Sequence, residues 1–277
     1  NMKIEIINSL TETNLKGVAW QIEQVKSGNS DELWLATPHE DAAHLIKKLG
    51  LNPHRVFDIY AQSYLSEIDE TKGIWWGELP VPNEAQLIIN KDWTKSIVSR
   101  GQQLATVRWF GDSKRIVQAV VWQDSDGKID YKDIYLRDGR LFAKQYFSEG
   151  KLLESDFYFG HPEVVVSDYY FEGKRNFVYV AGQKYASAEK YIMNTLSKYT
   201  GNDYNVTQLQ REMSYVPKRT TLTILDELSN EKRDIWSQLT AILKDNQHEI
   251  TRILVDQKNY LKLRMTGLPM KKVHRRN

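Results

Sequence analysis

From Met2 to about Pro80, short runs of apolar residues alternate with stretches in which apolar side chains return every three or four positions. Residues 3–7, 33–36 and 56–60 read as strands. Leu15, Val18, Ala19, Ile22 and Val25, then Ala42, Ala43, Leu45, Ile46 and Leu49, mark one face each of two helices. Gly28 and Gly50 stop those helices, and Pro38 opens the second. This β-α-β-α-β order predicts a parallel sheet with crossover helices.

From about Ala85 to Tyr185 the period falls to two. Strands are expected at 116–122, 128–136, 140–147, 151–159, 163–171 and 176–180. They are separated by Asp126-Gly127, Asp138-Gly139, Glu149-Gly150, Phe159-Gly160 and Glu172-Gly173, with a glycine every 10 to 13 residues. Within one strand, Ile129, Tyr131, Asp133 and Tyr135 alternate with Asp130, Lys132, Ile134 and Leu136. The zone therefore reads as an antiparallel meander. After it the longer period returns, with helices at 187–196, 231–243 and 256–265 and strands at 221–225 and 252–255, before Gly267-Leu268-Pro269 breaks the pattern. The expected domains are residues 1–84, a first part of an α/β domain; 85–185, an inserted meander; and 186–277, a resumed α/β part that looks incomplete.

Composition narrows the function. The chain has 277 residues, 38 Lys+Arg against 36 Asp+Glu, a net charge of +2 and no cysteine. Near-neutral charge removes bulk attraction to nucleic acid, so no nucleic-acid partner is expected. Without cysteine there is no disulfide framework, thiolate zinc site or thiol nucleophile, which fits a reducing, cytoplasmic setting. No apolar run approaches the roughly 20 residues of a membrane-spanning helix. Asn1 ahead of Met2 reads as the remnant of a tag.

The chain carries no recognisable cofactor motif. There is no Gly-x-Gly-x-x-Gly after the first strand and no Gly-Lys-[Ser/Thr], so no cofactor is expected. Asn8, Ser9 and Thr11 could face a phosphate at a helix start, but ordinary caps and turns account for them better. Asp124-Ser125-Asp126-Gly127 begins like a calcium loop, yet Tyr135 stands where the closing Glu belongs, and a hairpin turn is the better reading. His39, His44 and His248 lack zinc-site spacing. Asp226-Glu227 ends a strand, where ligands bind in open α/β sheets, though a helix cap explains it equally well. The terminal Lys271, Lys272, Arg275 and Arg276 offer peripheral contact with an anionic membrane, against the simpler reading of a frayed tail or the start of a strand.

The aromatic residues are more telling. They crowd the meander, and runs of three at 157–159 and 169–171 put rings on both faces. A two-faced aromatic sheet either packs on both sides or offers one face to a partner. Tyrosine and tryptophan combine large contact area with a polar group, which suits an extended, hydroxyl-rich polypeptide. The candidate binding residues are Trp109, Trp122, Tyr131, Tyr135, Phe142, Tyr146, Tyr158 and Tyr170.

The order of zones, with Glu78-Leu79-Pro80-Val81-Pro82, the stretch Arg115-Ile116-Val117-Gln118-Ala119-Val120-Val121-Trp122-Gln123-Asp124-Ser125-Asp126-Gly127-Lys128, and Arg137-Asp138-Gly139-Arg140-Leu141-Phe142-Ala143-Lys144, resembles bacterial glycosyltransferases of the GT-B class with an extended β-sheet insertion. That group includes wall teichoic acid transferases and the two-subunit O-GlcNAc transferases of serine-rich repeat adhesins; the likeness is greatest to the partner subunit of the latter. A weaker echo lies at Ala241-Ile242-Leu243-Lys244-Asp245-Asn246, Ile253-Leu254-Val255-Asp256 and Tyr260-Leu261-Lys262. The resemblance implies a Rossmann-like, partial GT-B α/β fold with an inserted antiparallel meander that recognises a serine/threonine-rich acceptor and docks a UDP-GlcNAc-dependent catalytic subunit. It implies no catalytic residues here. A GT-B enzyme holds its nucleotide sugar mainly in a C-terminal Rossmann domain, for which these residues leave no room, so catalysis is not expected of them alone. The alternatives are the N-terminal part of a GT-B transferase acting on teichoic acid or protein, or an accessory Sec export component.

Overall fold

A computed structural model describes residues 1–277, which divide into two compact units, 1–66 with 189–277, and 67–188. In the first unit β1 (Lys3–Ile7), α1 (Lys16–Lys26), β2 (Glu32–Leu35), α2 (Ala42–Lys48), β3 (Val56–Asp58) and β4 (Ser63–Tyr64) precede the insertion. The meander contains β5 (Ala85–Ile89), β6 (Lys95–Ser99), β7 (Gln102–Trp109), β8 (Val117–Gln123), β9 (Ile129–Tyr135), β10 (Leu141–Ser148), β11 (Lys151–Phe157), β12 (Val166–Phe171), β13 (Lys174–Val180) and β14 (Gln183–Tyr185). The chain then forms α3 (Ala188–Leu196), β15 (Asp203–Val206), β16 (Thr220–Thr223), α4 (Arg233–Lys244), β17 (Ile250–Val255), α5 (Gln257–Met265) and β18 (Val273–Arg275).

The α/β unit is one eight-stranded sheet in the order β18-β17-β16-β15-β1-β2-β3-β4, parallel except for β4. The segment after the meander starts no second sheet; its strands extend the first from the other side of β1. The order reverses between β1 and β15, the topological switch point of a doubly wound fold. Val18, Ile22 and Val25 of α1 and Ile46 of α2 close over Ile7, Leu33, Leu35 and Val56. Gln21 pins α1 to the switch point: its amide donates to the Ile6 carbonyl at 2.9 Å and the Asn205 carbonyl at 3.1 Å and accepts from Thr207 Oγ1 at 2.8 Å. That close approach requires Gly17, where an added Cβ would lie 2.5 Å from Thr207 Oγ1 and 2.6 Å from its Cβ. Gly17→Ala is therefore expected to lower stability by about 2 kcal/mol, as overpacking does, measured by urea unfolding.

The meander is a ten-stranded antiparallel sheet in strict chain order. Glu149-Gly150 and Glu172-Gly173 carry positive φ at both positions, 49° with 73° and 49° with 75°, the primed turn that matches strand twist. The Asp124 turn behaves as a hairpin, its carboxylate accepting from the Asp126 and Lys128 amides at 2.9 Å each.

Several expectations shift. Residues 67–84, expected in the α/β domain, pack with the meander: Ile74, Trp76, Leu79 and Val81 join Ile97, Ala105, Val107, Val117 and Val120 in one core, and Ile68 joins Leu136, Phe142 and Ala143 in another. Strands β5 to β7 lie ahead of the first meander strand read from the sequence, and β14 and β15 are strands that the apolar pattern does not predict. The basic tail contains a strand, β18, paired with β17. Within it the Lys272 amine is buried and donates to the carbonyls of Ile242, Asp245 and Ile250 at 2.6–3.0 Å. That lysine ties the end of α4 to the start of β17 and is not presented to a lipid surface.

Candidate functional site

Directly paired residues in neighbouring strands share a face of the sheet. From β8 to β12 the register sets Trp122, Tyr131, Tyr146, Glu154 and Tyr169 in one row. Two residues away on each strand, Val120, Asp133, Lys144, Asp156 and Ser167 form a second row on the same face, continued by Tyr179. The Trp122 and Tyr131 rings stack at 5.7 Å, and the indole N–H donates to Asp133 at 3.2 Å. Asp133 also pairs with Lys144 at 3.3 Å, whose ammonium lies 5.9 Å from the Tyr131 ring. Ser167 donates to Asp156 at 2.7 Å, and Tyr169 stacks on Phe177 at 4.6 Å.

The electrostatics favour neutral rings around a small ionic centre. Partial burial, chiefly, holds the Tyr131 and Tyr146 hydroxyls above the ordinary phenol value, so both stay protonated. Burial and then the neighbouring Asp156 charge raise the Glu154 carboxyl. For Lys144, burial works against the ammonium, but Asp133 more than offsets it and the net direction is up. Tyr158 lies close enough to act on both Lys144 and Tyr146. Tyr146 is 38% exposed, while Trp122, Tyr131 and Tyr158 are half-buried. The face thus offers rings, hydroxyls and three carboxylates around one ammonium, a donor-and-acceptor surface of acidic balance.

Trp122, Tyr131, Tyr146 and Tyr158 come together here, and Tyr135 follows Tyr131 and Asp133 on the same strand face; Trp109, Phe142 and Tyr170 do not join them. Trp109 packs against Trp76 at 6.0 Å beneath Lys95, at the edge of the β6–β8 core. Tyr135 lies against the same core, and burial above all pushes its hydroxyl up to about 12. Phe142 is buried, packed edge-on to Phe157 and Phe159, so it is core and not a contact residue. Tyr170 points away from the row that holds Tyr169 and lies 5.9 Å from Arg175. Asp133, Lys144, Glu154, Asp156 and Ser167 are not among the candidates read from the sequence. Their signal was the two-residue period, which places Asp133 with Tyr131 and Lys144 with Tyr146.

At the carboxyl edge of the α/β unit, Arg211 donates to Glu189 at 2.7 Å, Thr37 at 2.8 Å and Asn8 at 3.1 Å, and Asn8 donates to Glu12 at 3.0 Å. Ser9 caps a short turn by accepting from the Thr11 amide. Glu227 is held by Lys258 and Lys262, which keep its carboxyl near 2. His39 and His248 each accept a backbone amide at 3.0 Å. These groups are engaged with one another, as structural residues are. Beside them Glu212 is buried, and desolvation lifts its carboxyl to about 7. The folded state therefore binds this proton more tightly than the unfolded chain, so Glu212 costs stability as pH rises from about 4.5 to 7. Glu212→Gln should match the parent in melting temperature at pH 4.5 and exceed it at pH 8, as read by thermal denaturation across that range.

Residues 88–187 match the family model described as the GtfB middle domain. No curated protein matches the chain. Among solved structures it is similar to accessory secretory protein 1, 2 and 3 in Streptococcus pneumoniae, with a TM-score of 0.73 at 12% identity over 99% of this chain and 61% of that one. It is similar to the pneumococcal O-GlcNAc transferase GtfA in complex with UDP and GlcNAc, with a TM-score of 0.71 at 13% identity over 100% and 60%. A GtfA/B complex gives 0.70 at 11% identity over 99% and 60%. The chain spans about three fifths of the length of these structures. The likeness confirms the expected fold class, a GT-B-type α/β sheet with an inserted antiparallel meander, and the meander carries the GtfB middle-domain pattern.

Proposed function

We propose that this chain is an accessory subunit of a protein O-glycosylation system, and that the face around Trp122, Tyr131 and Lys144 holds a serine/threonine-rich acceptor for a catalytic glycosyltransferase subunit. The observation that carries the reading is the double row of rings, hydroxyls and charged groups in residues that match the GtfB middle-domain model. Four inter-strand steps from β8 to β12 span about 19 Å, the length of about six extended residues. Rings supply contact area, while Asp133, Lys144, Asp156 and Ser167 exchange hydrogen bonds with acceptor hydroxyls and amides. Each contact is weak, but a repetitive acceptor rebinds at high effective concentration, keeping many hydroxyls near the partner's active site.

The test combines the chain, a GtfA-type transferase, UDP-GlcNAc and an unmodified serine-rich acceptor, and counts sugars per acceptor by intact mass. The chain should raise that number, and Tyr146→Ala with Lys144→Ala should lower it without changing co-purification with the transferase. Equal incorporation with and without the chain would overturn the proposal. The likeness to accessory secretory proteins supports a second reading, a role in adhesin export, which co-purification with translocase proteins in place of a transferase would favour. No helix is long and apolar enough to cross a membrane.

A further inference from the structure

The meander sheet ends in two edge strands. β14 is only three residues long and carries Lys184, as protected edges do. β5 is different. It runs five residues, Ala85-Gln86-Leu87-Ile88-Ile89, with Ile88 and Ile89 36% and 45% exposed and Trp93 of the following turn 78% exposed. An apolar edge of this kind is a template for another strand.

The hydrogen-bond phase of the edge identifies which strand fits. Across the β5–β6 hairpin the Asn90 amide donates to the Thr94 carbonyl at 2.7 Å. Antiparallel pairing then alternates, so Gln86, Ile88 and Asn90 direct their main-chain groups toward β6, and Ala85, Leu87 and Ile89 direct theirs outward. The outward set is centred on Leu87. A second copy related by a two-fold axis through Leu87 presents the same set in reverse: Leu87 exchanges both bonds with its copy, and each Ile89 amide donates to the other chain's Ala85 carbonyl. The Ala85 amide is already taken by the Pro82 carbonyl at 3.0 Å.

Charge and backbone strain agree with that register. Glu84 precedes the strand and Lys91 follows it, so antiparallel self-pairing brings unlike ends together, whereas parallel pairing juxtaposes like ones. Glu84 is bound by Arg100 at 2.6 Å but its side chain stays 63% exposed. Trp93 has φ 68°, the left-handed position that three-residue hairpin loops give to glycine. A large indole held there, in solvent, gains nothing within one chain. The two-fold register carries it toward the Val81-Pro82 segment of the other copy.

We propose that this chain forms an isologous dimer by antiparallel β5–β5 pairing centred on Leu87, joining two meanders into one continuous sheet. The pairing is independent of the acceptor face. Because the protein has no cysteine, single cysteines report the register directly. Leu87→Cys places two Cα atoms about 5.5 Å apart across a hydrogen-bonded pair, within disulfide reach, and should give a covalent dimer on mild oxidation. Ile89→Cys, displaced two residues to either side of the axis, should not. Cross-linking of neither variant, or of both alike, overturns the proposal. Trp93→Gly supplies a second reading, since it suits the turn: its melting temperature, read at dilutions where both chains are monomeric, should not fall, while the dimer dissociation constant measured by sedimentation should rise at least tenfold. A monomeric parent chain, or an unchanged constant in Trp93→Gly, is the contradicting result.

Discussion

Replacing Trp122 and Tyr131 together by alanine is expected to weaken binding of a serine-rich peptide about a hundredfold while the sheet stays folded. Aromatic anchors in binding surfaces are worth about 1–3 kcal/mol each, and about 2.8 kcal/mol for the pair corresponds to that factor. The two rings stack at 5.7 Å and share the neighbourhood of one carboxylate, Asp133. Single substitutions should therefore not sum to the double, and a double-mutant cycle should show coupling. Trp122 lies at the margin of the β6–β8 core and not within it, so the cost to folding is smaller than for a buried tryptophan. Tyr131→Phe keeps the stack and removes only a hydroxyl, and should lie within tenfold of the parent. Isothermal titration reads all four proteins.

The second large effect concerns stability. Arg137→Met should lower the stability of the meander unit by about 3 kcal/mol, as loss of a buried charged partner does. Arg137 is 1% exposed. Its guanidinium donates to the Gly111 carbonyl at 2.7 Å, reaches Glu70 at 3.3 Å and lies 4.9 Å from the Phe110 ring. Its own carbonyl sits where a Cβ on Gly73 would come within 2.4 Å. One side chain thus ties the 67–84 segment and the β7–β8 connection to the end of β9. Methionine fills much of the volume but leaves the Gly111 carbonyl and Glu70 without that partner. Urea unfolding followed by near-ultraviolet dichroism should show an earlier transition.

The period of the apolar residues was enough to place both sheets, because a change from helical spacing to strict alternation is what separates a crossover fold from a meander. It failed where side chains serve the sheet through polar groups. β15 reads Asp-Tyr-Asn-Val, and its Asn205 accepts from Thr223 Oγ1 at 2.7 Å and donates to Glu5 at 2.7 Å, a bonding role that hydrophobic patterning does not register. The edge strand β5 escaped because its exposed isoleucines make a run instead of an alternation. Among the aromatics, composition alone could not separate Phe142 from Tyr146. A register irregularity between Leu141 and Ala143 accompanies the burial of Phe142 among other phenylalanines, while Tyr146 stays in the open row. The ionic half of the face was legible in principle from alternation, yet ring content drew the reading toward tyrosine and tryptophan.

Acceptor recognition by the β8–β12 face is the proposal on which the function depends. The direct measurement is calorimetric titration of an unmodified serine-rich repeat peptide into the full chain, beside the Trp122→Ala/Tyr131→Ala variant and a peptide with its serines and threonines replaced by alanine. Saturable binding by the parent, lost about a hundredfold in the variant and in the substituted peptide, is the expected result. No binding by the parent, or equal binding by parent and variant, would contradict recognition by this face.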